Sequence, residues 1–213
     1  MSLSTRLHIR FPPSPASETT DTLVLTFRSQ HYLDLRVLRT SPGLSPPIDW
    51  AFAGTLTHPG PHRTVWEHRI DSRGFAGVDA GVSTALENGD TLEEGEMVNP
   101  ASGKTGRYEE VWRTIPVESG AVAYCLESED DDPDKVKIFV GRIGLYFVSM
   151  GEQDGQHFSA RRFQLEGGKW RKVYHIGTMD LPSPDEVSEE SLQEGATVQI
   201  GGRRYCVREY YTT

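Results

Sequence analysis

This sequence predicts an all-β protein built as two similar antiparallel β domains in tandem. Three observations predict it. Apolar residues alternate with polar ones in short runs, the period of half-buried strands. Turn-forming Gly (21) and Pro (13) punctuate those runs at short intervals. Two segments of the first half also recur in the second, in the same order and at nearly the same offset. A chain of 213 residues accommodates such a pair, and 36% hydrophobic with 25% charged residues is ordinary globular composition, which excludes wholesale disorder.

The elements follow in order. Leu23, Leu25 and Phe27 alternate, and Leu33, Leu35 and Val37 resume the alternation after a short polar connection at Ser29, Gln30 and His31. Trp50, Phe52 and Leu56 share a phase, as do Trp66, His68 and Ile70. Tyr108, Glu110 and Trp112 fall on one face of a strand, with Glu109, Val111 and Arg113 on the other. Gly201-Gly202 and Gly167-Gly168 supply the positive φ angles of two-residue hairpin turns, and Asn88-Gly89 reads as a third turn of that kind. One segment reads as a helix of two to three turns, with Ser183 as N-cap, Pro184 first, Glu186 closing a capping box and Gly195 ending it.

The recurring segments are Leu92–Val98 against Leu192–Val198, and Arg63–Trp66 against Arg171–Tyr174. They point to an internal duplication with a join near Ile115 to Gly120, hence domains at 1–118 and 119–213. Each half holds about six to eight strands, and closure into a barrel removes exposed edges. Alternation in a small barrel turns every second side chain inward, where a ligand fits.

Charge and processing signals narrow the function. With 22 Lys+Arg against 31 Asp+Glu the net charge is −9, which argues against nucleic acid as a partner. The first ten residues lack the apolar core of a signal peptide, and the longest apolar stretch, 138–150, is broken by Arg142 and too short to span a bilayer. Two cysteines, Cys125 and Cys206, are no disulfide framework and read as free thiols. The expected setting is the cytoplasm, with the nucleus also open to the protein, and without membrane insertion. A homodimer is compatible with the sequence.

Several segments carry a resemblance. They are Asp49–Thr55, Trp66 with Ile70 and Asp71, Tyr108–Arg113, Val140-Gly141-Arg142 with Gly144 and Phe147, and Val207–Tyr210. As an ordered set the chain resembles the fungal HRI family, named for interaction with a yeast casein kinase. The resemblance implies tandem lipocalin-like β-barrels, an intracellular setting and no established catalytic activity, and it nominates a casein kinase as protein partner. It transfers no catalytic residues.

No motif indicates an enzyme. Ser102-Gly-Lys-Thr105 lacks the upstream Gly of a phosphate loop, since Val98 stands there, and it reads as a turn. His58 and His62 flank Pro59-Gly60-Pro61 and cannot share a helix face, so with His68 and Asp71 they read as structural or solvated residues rather than a metal site. Glu109 and Glu110 diverge from one strand, leaving one free to enter the barrel and pair with an arginine such as Arg113 or Arg69. The catalytic, metal and cofactor assignments are therefore none.

Two residue sets remain. Trp50, Phe52, Trp66, Tyr108 and Trp112 are the candidate barrel-lining residues, with plain core packing as their alternative role. Acidic clusters at 87–96, 127–134 and 185–194 place carboxylates after Ser128, Ser188 and Ser191, which are candidate phosphorylation sites for an acid-directed kinase. The sequence thus reads first as a non-enzymatic protein-interaction module, and second as a binder of a small hydrophobic ligand inside one barrel.

Overall fold

Alternation carries the chain through two antiparallel sheets in a computed structural model that describes residues 1–39, 43–75, 77–129 and 135–212. The first sheet comprises β1 (Ser2–Arg10), β2 (Thr20–Thr26), β3 (His31–Leu38), β4 (Ile48–Gly60), β5 (Arg63–Asp71), β6 (Asp79–Ala85), β7 (Thr91–Asn99) and β8 (Lys104–Ile115). Each strand pairs with the next, and β1 also pairs with β8, closing an eight-stranded barrel. The second sheet comprises β9 (Val122–Ser128), β10 (Val136–Ile143), β11 (Tyr146–Gln153), β12 (His157–Glu166), β13 (Lys169–Ile176), β14 (Thr197–Ile200) and β15 (Arg203–Thr212). Its order is β13-β12-β11-β10-β9-β15-β14.

This order follows the first sheet strand for strand, with β9 in the place of β1 and β15 in that of β8. Val98 pairs with Thr105 on β7–β8, and Val198 pairs with Tyr205 on β14–β15, the same separation in both hairpins. Trp66 and Tyr174 likewise lie on the corresponding strands β5 and β13. The place of β6 has no strand in the second sheet, so this sheet stays open where two closed barrels were expected. Segment 177–196 occupies the gap and buries Leu181, Val187 and Leu192 in the second core.

Burial of Val187 and Leu192 also explains a correction. The expected helix is two single 3-10 turns, Pro184–Glu186 and Glu189–Ser191. The Ser183 start is as read, since the Glu186 carboxylate accepts hydrogen bonds from the Ser183 backbone N–H and hydroxyl. A continuous helix would place residues five apart about 140° around its axis and could not bury Val187 and Leu192 together. Two of the three hairpin turns form as predicted, with Gly167, Gly168, Gly201 and Gly202 all at positive φ. The Asn88-Gly89 turn differs. Only Gly89 is at positive φ, and the bonds from Gly89 N–H to Leu86 C=O and from Leu86 N–H to Asp90 C=O make a three-residue loop.

The largest apolar core lies between the sheets rather than inside the barrel. Leu23, Leu25, Leu33, Leu35, Ala51 and Ala53 project outward and pack on Cys125, Phe139, Val148, Met150 and Ala160 of the second sheet. Gly141 permits this approach, because a Cβ there would lie 3.1–3.3 Å from Phe27, Leu33 and Leu25. Polar contacts rim the interface. Asp21 accepts from Arg162 at 3.0 Å and from the Tyr174 hydroxyl at 2.7 Å, and Glu127 pairs with Arg69 at 2.7 Å. The second core lies on the opposite face of its sheet, where Tyr124, Leu126, Val140, Phe147, Tyr205 and Val207 meet the 177–196 segment.

Candidate functional site

With its aliphatic phase turned outward, the barrel keeps its other phase inside. On β3 the inward residues are Tyr32, Asp34 and Arg36; on β4 they are Trp50, Phe52 and Leu56; on β8 they are Tyr108, Glu110 and Trp112. All but Tyr32, which packs behind Phe52, line a cavity of about 400 Å³, at the lower end of the size of small-molecule sites. At about 30 Å³ per molecule, that is room for on the order of a dozen waters. All five aromatic residues singled out in the sequence line it.

They also pack on one another. Trp50 and Phe52 have centroids 4.6 Å apart, Phe52 stacks on the His68 ring at 4.2 Å, and Tyr32 meets Phe52 edge-on. Trp50, Phe52 and Tyr108 are buried, while Trp66 and Trp112 are half-buried. A β-bulge brings β5 into this arrangement. Ala53 pairs with Ile70 and Gly54 with His68, so the register shifts by one residue at Arg69. The bulge turns Ile70 outward into the inter-sheet core while Trp66 and His68 face in, so these three residues do not share the single face that strict alternation predicts. Gly54 is required there, because a Cβ would meet the Glu67 carbonyl oxygen at 1.9 Å.

The cavity wall is charged. Arg36 donates to Asp34 at 2.8–3.1 Å and to Glu110 at 3.4 Å. Arg6, behind Glu110, donates to it at 2.5 Å and to Glu18 at 2.7 Å. Asp34, Arg36 and Glu110 are 3%, 6% and 1% exposed, so the network is dry apart from the cavity itself. Burial pushes the Asp34 carboxyl up even with Arg36 beside it. The Tyr108 hydroxyl donates to Glu93 at 2.8 Å. Burial and the neighbouring Glu110 charge push Glu93 up to about 8, so it is mostly protonated at neutral pH.

A second cluster sits beside the aromatic group. His68 bridges Asp71 at 2.5 Å and Asp79 at 3.0 Å, and the Trp50 indole N–H donates to Asp71 at 3.0 Å. Burial disfavours the imidazolium, but the hydrogen bonds to Asp71 and Asp79 outweigh it and raise His68 to about 9. Among the described residues no group of three or more His, Cys, Asp or Glu is arranged to hold a metal ion.

Other sequence-derived residues are placed as follows. Glu109 points outward to Arg10, and Glu110 is the carboxylate that enters the barrel. Its arginine partners are Arg6 and Arg36. Arg113 instead pairs with Asp90, and Arg69 with Glu127. Ser188 and Ser191 are exposed. Ser128 is 1% exposed on β9 and its hydroxyl accepts from the Ile138 N–H, which keeps it out of reach of a kinase in the folded protein. Residues 130–134 of the acidic run beside it lie outside the described residues. Arg6, Asp34, Arg36, Asp79 and Glu93 were missed. A signal existed on β3, where Asp34 and Arg36 occupy the phase opposite Leu33, Leu35 and Val37.

The match to known proteins is consistent with this architecture. In the crystal structure of the uncharacterized protein YLR301w from Saccharomyces cerevisiae the fold is the same, with a TM-score of 0.80, 22% identity, and coverage of 99% of this chain and 98% of that one. Protein HRI1 of Kluyveromyces lactis is 38% identical over 58 residues, a stretch that takes in 27% of this chain and 24% of that relative. The family model described as Protein HRI1 matches residues 2–209. The chain therefore belongs to the HRI1 family.

Proposed function

We propose that this protein works by binding, without covalent chemistry, a small amphipathic molecule in the cavity of its N-terminal barrel. One observation carries the reading: the closed barrel keeps a cavity of about 400 Å³ lined by aromatic faces and buried charges, although the chain has ample aliphatic residues to fill it. Buried ion pairs are a poor way to stabilise a core, since packed apolar residues of similar volume often do as well or better. Their placement around a cavity makes sense as recognition. The second sheet gives the contrast, because its interior face is filled by its own side chains and the 177–196 segment. Association with a protein partner such as a casein kinase takes second place, since it rests on the family resemblance and not on this chain's geometry.

Three of the four tryptophans, Trp50, Trp66 and Trp112, line the cavity, so intrinsic fluorescence reports its occupancy. The test is titration with the neutral probe N-phenyl-1-naphthylamine, for the wild type and for Val24→Trp, which fills the cavity from β2. Native mass spectrometry of protein purified from its own host runs alongside. Saturable binding by the wild type, lost in a folded Val24→Trp variant, is the expected result. No saturable probe binding and no co-purifying small molecule would overturn the reading.

A further inference from the structure

The charges around the cavity do not balance. Six carboxylates (Glu18, Asp34, Asp71, Asp79, Glu93 and Glu110) stand with three cations in and around it: Arg6 and Arg36 pair with Glu18, Glu110 and Asp34, His68 bridges Asp71 and Asp79, and Glu93 accepts from the Tyr108 hydroxyl. Of these, Asp34, Asp79, Glu93 and Glu110 line the cavity against Arg36, with the N-terminal Met1 and His58 the other residues in its wall that carry a basic group. We propose that the occupant is a small organic cation, an amphipathic amine or quaternary ammonium, seated between the aromatic faces and the surplus carboxylates. This rests on the ligand-binding reading above.

The aromatic faces already hold a cation. The Arg36 guanidinium carbon lies 5.2 Å from the Trp50 ring centroid, 5.3 Å from Phe52 and 5.6 Å from Trp112, within cation–π range. Those rings border a space whose wall carries more carboxylates than cations. An anion entering it meets repulsion at short range in a weakly screened interior, and a neutral molecule leaves the imbalance in place. A cation relieves it.

Glu93 is where the imbalance shows. It faces Tyr108 and Glu110 from β8, Arg36 from β3 and Asp79 from β6, with Asp34 beside Arg36, Arg6 of β1 behind Glu110 and His68 of β5 beside Asp79. In the empty barrel its proton offsets part of the negative charge. An ammonium group takes over that role and displaces the proton, so cation affinity rises with pH until Glu93 is ionised unaided. His68 stays charged through most of that window, since it titrates near 9.

The test uses calorimetry with matched probes: phenethyltrimethylammonium, whose charge is independent of pH, then 2-phenylethanol and 3-phenylpropanoate, with N-phenyl-1-naphthylamine as the neutral control. The expected result is that the ammonium binds at least tenfold more tightly than the alcohol and that the propanoate does not bind. Its affinity should rise by up to about 50-fold from pH 6 to pH 8, the limit for one proton displaced from a carboxyl titrating near 8. Glu93→Gln should bind no more tightly than the wild type at pH 6 and gain nothing at pH 8, an outcome that general destabilisation of the barrel does not produce. Saturable binding of the naphthylamine with equal or weaker ammonium binding overturns the cation inference and leaves the ligand cavity standing. Failure of both probes overturns both.

Discussion

Replacing Arg36 by Met keeps most of the side-chain volume and removes the charge on which the interior depends. Among the described residues, all of Asp34's side-chain hydrogen bonds come from Arg36, two at 3.1 Å and one at 2.8 Å, whereas Glu110 retains Arg6 at 2.5 Å. The substitution therefore strands one carboxylate that is 3% exposed. Breaking a buried pair by removing one partner costs about 3–5 kcal/mol, because the remaining charge loses its compensation. In a chain of this length each kcal/mol moves the melting temperature by about 2–4 °C, so Arg36→Met should lower it by roughly 6–20 °C at pH 7. Two further results should accompany the loss. Adding Asp34→Asn should restore most of the stability, since the stranded charge is then gone. The deficit of the single variant should also shrink as pH falls toward 4, because a stranded carboxylate has a raised folded-state pKa and destabilises only where the unfolded chain would be ionised. Urea unfolding followed by far-ultraviolet circular dichroism, with thermal melts across pH, measures all three. A loss below about 1 kcal/mol at pH 7 would mean that cavity water solvates Asp34. That result would remove the charge-imbalance argument for a cationic ligand.

Two other expectations follow from the same geometry. His68, held near 9 by Asp71 and Asp79 against its burial, titrates above its ordinary 6.5, so its contribution is fully present below about pH 6.5 and lost as pH rises through 9. Wild type should exceed His68→Asn by up to about 3 kcal/mol at pH 6 and by little at pH 10, and a difference independent of pH would refute the bridge. Casein kinase treatment of the folded protein should label the exposed Ser188 or Ser191 and spare the buried Ser128, as read by phosphosite mapping; labelling at Ser128 in protein that remains folded would contradict its placement.

Local chemistry was enough for the sequence to determine a good deal of this protein. Period-two alternation and the glycine pairs at 167–168 and 201–202 specify strands and tight turns through contacts a few residues apart, and those elements are where the sequence placed them. The aromatic phase of Trp50, Phe52, Tyr108 and Trp112 was legible for the same reason, because side chains two apart on one strand share a face whatever that face meets. Which face meets what was decided by tertiary structure. Alternation on β3 gives one phase as Leu33, Leu35 and Val37 and the other as Tyr32, Asp34 and Arg36, and an isolated barrel would be expected to turn the aliphatic phase inward. It turns outward because a second sheet with its own apolar face, approaching closely at Gly141, buries it there. The polar and aromatic phase is thereby left to line the interior. The bulge at Arg69 and the missing strand between β13 and β14 belong to the same class, since each depends on a partner distant in sequence. A strand's periodicity records that it has two different faces; only the packing of whole sheets determines which of them becomes the binding site.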